Sequence, residues 1–153
     1  MARVVVDQIV KSPVSDVWQS WDKFGDIDAF NPNLKRSFLL EGSISTGLGA
    51  TRQCDLADGK NYIREKIIAY SPEKSMKVEI YEGTVPLKSA TAQIDFAALG
   101  PQKTQITFTI DFTPKFGPLG AFLIPMMKPQ FKKDIGALLT KNAAFVERSS
   151  MNA

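Results

Sequence analysis

The clearest pattern in this chain is an alternation with period two. Ile106, Phe108, Ile110 and Phe112 share one face of a run whose other face carries Thr107, Thr109 and Asp111. Such alternation marks a strand covered on one side only. Ala90, Ala92, Ile94 and Phe96 repeat it, as do Met76, Val78 and Ile80. Together with earlier runs these predict strands over 34–41, 49–56, 61–70, 75–83, 88–98 and 103–112, an antiparallel meander broken at Gly42-Ser43, Ser71-Pro72 and Gly100-Pro101. A strand over Arg3 to Val10 precedes them, its facing left undefined by the run Val4-Val5-Val6.

Between these strands and at the end of the chain the period changes. Val14, Val17, Trp18 and Trp21 recur at helical spacing, with Ser12 as the expected N-cap and Pro13 at the first helical position. Gly25 ends that helix; Asp26 caps a brief second one through Ile27 and Phe30, which Pro32 stops. From Phe116 to Arg148 a stripe of Phe131, Ile135, Leu138, Leu139, Phe145 and Val146 predicts a covering helix. Pro125 and Pro129 interrupt its beginning, so the expectation is a short helix, a break at 125–129 and then the long helix. The Met-rich piece containing Met126 and Met127 reads either as core filling or as an adjustable wall over a pocket.

One hairpin carries chemistry. The runs Ala50 to Leu56 and Asn61 to Ile68 meet at Asp58-Gly59, a dipeptide suited to a two-residue turn with both φ angles positive. In that register Leu56 faces Asn61, Cys54 faces Ile63, and Arg52 faces Glu65, with the two charges pointing inward beside Cys54, Ile63 and Ile67. Inward charges are costly to desolvate. Two readings stand side by side: a buried ion pair that fixes strand register and binds nothing, or the polar spot of an otherwise apolar small-molecule cavity.

Composition narrows the function classes. The 153 residues, 44% hydrophobic and 23% charged, suit one globular domain spanning residues 1–153. No apolar run reaches the ~20 residues of a membrane-spanning helix, and the N-terminus lacks the pattern of a secretory signal, so the expected compartment is the cytoplasm. The chain has no histidine, which removes Ser-His-Asp and Cys-His catalysis and HExxH zinc sites. The net charge of +3 is mild, and the lysines Lys128, Lys132 and Lys133 read as the solvated side of a helix, with no stacking aromatics interleaved in a recognisable nucleic-acid motif. The lone Cys54 excludes an intrachain disulfide and reads as packing rather than a nucleophile.

Several segments carry a family resemblance. They are Ser12-Pro13 with Val17-Trp18, Phe24-Gly25-Asp26 to Asn31-Pro32, Gly47-Leu48-Gly49-Ala50-Thr51-Arg52, Asp58-Gly59 with Arg64-Glu65-Lys66, and Lys115-Phe116-Gly117-Pro118-Leu119-Gly120. In this order the chain resembles the START/birch-pollen-allergen (SRPBCC) superfamily, in its bacterial polyketide cyclase/dehydrase-like branch. The resemblance implies an α+β helix-grip fold: a curved antiparallel sheet of about seven strands around a long C-terminal helix, with two short helices after the first strand. It also implies an apolar cavity for a lipid, polyketide or aromatic molecule, and no cofactor or metal. The chain departs from the plant allergens in having a loop with only Gly42, Gly47 and Gly49.

Three functions follow as expectations. The first is a binder or carrier of a small hydrophobic molecule, with Arg52 and Glu65 holding its polar end and walls of Phe38, Ile63, Met76, Ile80, Ala92, Phe108, Ile110, Phe122, Met126 and Phe131. The expected pocket has a volume of ~300–1,000 Å³. The second is a polyketide cyclase, aromatase or dehydratase in which Arg52 polarises a carbonyl and Glu65 takes the proton, so that both are candidate catalytic residues. The third is a protein-interaction module of the co-chaperone kind. The oligomeric state is not legible from the sequence.

Overall fold

The computed structural model describes residues 1–151. Among them, β1 (Ala2–Val10) is followed by α1 (Val14–Asp22) and a 3-10 helix (Phe24–Ala29). Then come β2 (Leu34–Leu39), β3 (Thr51–Leu56), β4 (Tyr62–Ser71), β5 (Ser75–Gly83), β6 (Leu87–Gly100) and β7 (Lys103–Pro114). A short α2 (Gly117–Ala121) leads into α3 (Ile124–Met151). The described strands make one antiparallel sheet of seven, in the order β1-β7-β6-β5-β4-β3-β2. Register shifts in the β2–β3, β4–β5 and β6–β7 pairs are bulges, which add twist and curl the sheet. The helix α3 packs along β1 and against α1, so sheet and helix enclose the interior. This is the helix-grip arrangement.

The facing of β1 is settled by its partner. Ala2, Val4 and Val10 are buried and Val5 and Ile9 exposed, so the even positions point inward, opposite Phe112, Ile110 and Thr104 of β7. One end of the interior is filled by aromatic side chains. Trp18 lies 5.4 Å from Tyr70 and 5.2 Å from Phe96, ring centre to ring centre, and Trp21 lies 5.3 Å from Phe30. Edge-to-face contacts of this kind add to the burial of large apolar area.

Four local expectations are corrected. Pro13, not Ser12, is the N-cap of α1, with an extended backbone at φ −61° and ψ 150°. The second helix begins at Phe24 and contains Gly25 and Asp26, being a 3-10 turn with a kink at Asp26. At the β3–β4 turn only Gly59 has a positive φ, 71°. Leu56 N–H bonds to Asn61 C=O at 2.8 Å and Gly59 N–H to Leu56 C=O at 3.0 Å, closing a longer loop that still leaves Leu56 opposite Asn61. The break before the long helix falls at 122–123, ahead of both prolines. Pro125 then sits in the first turn of α3, where a missing N–H costs no helix bond, and Pro129 is carried inside the helix.

Candidate functional site

Between the sheet and the N-terminal half of α3 lies a cavity of about 650 Å³. Its walls come from β3 (Arg52, Cys54, Leu56), β4 (Ile63, Glu65), β5 (Val78, Ile80), β6 (Leu87, Ala92, Ile94) and β7 (Phe108, Ile110). Met127, Phe131, Ile135 and Leu138 close it from α3, and Trp21 and Ile27 from the short helices. These are the inward positions of each strand, so period-two alternation is what aims them at one space.

Arg52 and Glu65 form the polar spot in this wall. They are paired across the β3–β4 ladder, and both are buried. Arg52 Nε donates to Glu65 Oε1 at 2.9 Å, and Arg52 Nη1 donates to the carbonyl of Phe24 at 2.9 Å. The guanidinium carbon stands 3.9 Å from the centre of the Phe24 ring, a cation–π contact in a desolvated setting. Arginine's planar fork allows all three contacts at once, as lysine's ammonium could not. Cys54 Sγ lies 3.4 Å from the same Glu65 Oε1. Burial pushes the Cys54 thiol far above its ordinary range, and the Glu65 charge adds to the effect. Cys54 is therefore held as a neutral thiol and is no nucleophile.

The mouth is polar. Asn33 Nδ2 donates to the Asp134 carbonyl at 2.9 Å, tying the start of β2 to α3, and Gln130 Nε2 donates to Asp134 Oδ1 at 2.9 Å. Asp58 stands at the same rim, its carboxyl held below the usual range by the backbone N–H groups of Asn61 and Lys60. Val85 and Pro86 of the β5–β6 loop complete this end.

Of the expected site residues, the cavity gathers Arg52, Glu65, Ile63, Ile80, Ala92, Phe108, Ile110 and Phe131. Four do not line it. The β2 bulge between Leu34 and Arg36 reverses parity, so Phe38 pairs with outward Gln53, lies beneath the Arg36 guanidinium at 5.1 Å, and borders a separate hollow beside the 3-10 helix. Met76 points inward but pairs with Tyr70 and Ile94 towards the end that Trp18 fills. Because α3 starts at Ile124, its phase turns Met127 and Phe131 towards the sheet and leaves Met126 exposed; Phe122, in the turn before it, is exposed as well.

Two polar networks escaped the sequence reading. Trp21 Nε1 donates to Asn142 Oδ1 at 3.1 Å, and Asn142 Nδ2 donates to Ser20 Oγ at 2.9 Å. Asn142 follows Leu138 and Leu139 at helical spacing, so a polar residue on the apolar stripe was the available signal. At the same C-terminal end of α1, the hydroxyls of Tyr70 and Thr46 both donate to Asp22 Oδ1, at 2.6 and 2.9 Å. Burial, then the bond to Asp22, pushes the Tyr70 hydroxyl up to about 12. The residues are too far apart in sequence for any spacing to reveal this.

Comparison with known proteins agrees with this geometry. The family model described as polyketide cyclase / dehydrase and lipid transport matches residues 1–147. No curated protein matches the sequence. Among solved structures, the Zhui aromatase/cyclase from Streptomyces sp. R1128 superposes with a TM-score of 0.82 at 15% identity, over 96% of this chain and 94% of that one. A START superfamily protein from Mycobacterium smegmatis gives 0.79 at 16% identity, over 95% and 97%. Norcoclaurine synthase from Thalictrum flavum, in complex with dopamine and hydroxybenzaldehyde, gives 0.74 at 15% identity, over 96% and 87%. At such identities these likenesses speak to the fold, whereas the family match spans nearly the whole sequence. The chain thus belongs to the polyketide cyclase/dehydrase and lipid transport family, and it shares its fold with a START superfamily protein.

Proposed function

We propose that this protein binds a small hydrophobic molecule, a lipid, polyketide or aromatic compound, in the cavity between sheet and helix. The observation that carries the reading is the combination of about 650 Å³ of space with one localised polar spot in an apolar wall. That is the anatomy of a site that holds a molecule with a single polar end. Arg52 and Glu65 spend Nε, Nη1 and Oε1 on one another and on Phe24, and both residues line the cavity. The remaining groups, Nη2 and Oε2, are those a ligand's hydroxyl or carbonyl would meet. Ala92, Phe108, Ile110 and Phe131 supply apolar area around it. Titration with a fluorescent fatty acid and with a polyphenol tests this. Saturable uptake of either, weakened by Arg52→Met, is the expected result; no saturable uptake of any apolar probe overturns it.

A second reading is favoured by one specific observation, the fold shared with an aromatase/cyclase at a TM-score of 0.82. In it Arg52 would polarise a carbonyl and Glu65 would accept a proton. Against it stands the pair itself: Glu65 Oε1 is already engaged by Arg52 Nε at 2.9 Å and by Cys54 Sγ at 3.4 Å, so that oxygen is not open to a substrate proton. Conversion of a polyketide-like chain by the wild-type protein, abolished in Glu65→Gln with binding retained, would establish the enzyme over the carrier.

A further inference from the structure

Beside the cavity mouth the surface is both apolar and basic. Phe116, Leu119, Phe122 and Met126 are 68%, 73%, 80% and 69% exposed. Phe116 is the N-cap of α2, Leu119 lies within it, Phe122 stands in the turn that follows and Met126 in the first turn of α3. Single exposed apolar residues are ordinary, but a contiguous group marks a surface that something else covers. The start of this segment is fixed in place by two contacts. Lys115 N–H donates to the Pro86 carbonyl at 3.1 Å, and Gly120 packs so closely that a Cβ there would lie 2.1 Å from the Lys115 carbonyl. Phe116 holds φ at 77°, a left-handed conformation that is strained for a bulky residue, and the strain leaves its ring in solvent rather than in the core.

Charge identifies the occupant. Between Asp111 and Asp134 the chain has four lysines, Lys115, Lys128, Lys132 and Lys133, and no acidic residue. All four are exposed. Apolar side chains among exposed amines are the composition of an interfacial segment, which sinks its apolar face into the acyl boundary while its amines meet lipid phosphates. A second copy is the poorer fit, since an isologous contact would set the same lysines against themselves. We propose that the segment 115–133 is a docking surface for an anionic phospholipid bilayer.

The consequence for function is positional. Pro86 lines the cavity and holds Lys115, while Met127 and Phe131 line it directly after exposed Met126. A docked protein would present its mouth to the bilayer, a ready route for an apolar molecule between membrane and cavity. This consequence rests on the cavity binding such a molecule; the docking itself does not.

The test uses the full chain and vesicles of phosphatidylcholine with and without phosphatidylglycerol. Co-sedimentation with the anionic vesicles at about 0.1 M salt, lost at about 1 M where charges are screened, is expected. Phe122→Asp and the double variant Lys128→Glu/Lys132→Glu should each weaken partitioning by about tenfold or more. All three positions are exposed, so unchanged thermal melting accompanies the loss. Fatty-acid uptake measured without vesicles should persist in Phe122→Asp, so a failed cavity and a failed docking surface give different results. Three outcomes overturn the proposal: no sedimentation with anionic vesicles at low salt, Phe122→Asp sedimenting as well as the parent, or a solution dimer that Phe122→Asp dissolves.

Discussion

The indole N–H of Trp21 donates to the side-chain carbonyl of Asn142 at 3.1 Å, joining α1 to the middle of α3 where both residues are buried. Trp21 also lines the cavity, so this bond sets the depth at which α3 lies over it. Asn142→Ala would leave the indole N–H without its acceptor and Ser20 Oγ with only its bond to the Val17 carbonyl. A loss of about 1–3 kcal/mol in urea unfolding is expected. Weaker ligand uptake should accompany it, because a shifted α3 changes the cavity's shape. A stability equal to that of the parent would show the bond to be dispensable.

The Arg52–Glu65 pair predicts a larger penalty of a different origin. Removing one partner of a buried ion pair orphans the other charge, so Arg52→Ala should cost about 3–5 kcal/mol, while the apolar double variant Arg52→Met/Glu65→Leu should recover most of it. Chemical unfolding of the two variants measures the difference. A double variant as unstable as the single one would mean that Arg52 acts mainly through Phe24, whose carbonyl and ring it also engages.

The pair was legible in the sequence because period-two alternation needs only one correct register, and Leu56 opposite Asn61 supplied it despite a turn of unexpected type. Phe38 was misplaced for the converse reason: one bulge at Leu34/Arg36 inverts every later position of β2, and no residue there announces it. Met126 failed on helical phase, and Phe122 because it falls in the turn ahead of α3. Proline was read as a breaker at 125–129, whereas Pro125 in a first turn is compatible with helix and the chain broke two residues earlier. The strand order and the covering helix were visible because they depend on many residues; Asn142 and Tyr70 were not, because their partners lie in distant elements.

Cys54 makes stability depend on alkaline pH. Burial raises its folded-state pKa above the ordinary 9.0, so folding excludes the thiolate. Its contribution is complete below pH 9.0 and is lost as pH rises beyond that value, at about 1.4 kcal/mol per pH unit. Other groups titrate in this range, so the measurement is the difference between the parent and Cys54→Ala in urea midpoint at pH 8 and at roughly pH 10.5. The parent should lose more. Equal losses would show that the thiol titrates as freely in the folded state as in the unfolded one.

Hydrogen exchange should divide the C-terminal region at the turn rather than at the prolines. Amides from Ile135 to Leu139, in a helix packed on β1 and α1, should exchange slowly, and those at 121–124 fast. Pro129 leaves the Pro125 carbonyl without its helix bond, so protection should rise gradually from Met127 to Phe131. Uniform protection from Gly117 onward would mean that α2 and α3 act as one rigid unit.

Ala92 offers the sharpest test of the cavity as a binding site. It pairs with Val78 on one side and Ile110 on the other, and all three residues line the space. A phenylalanine at position 92 would project its ring into the cavity. In a packed interior such a change would displace neighbours and cost about 1–3 kcal/mol or more. In a cavity of about 650 Å³ the ring has room, so Ala92→Phe should unfold within about 1 kcal/mol of the parent while losing fatty-acid uptake. Arg52 and Glu65 stay in place in this variant, so the loss would report occupied space rather than altered charge. A stable Ala92→Phe that still takes up ligand would put the site elsewhere, and one that fails to fold would mean that the interior has no space to spare.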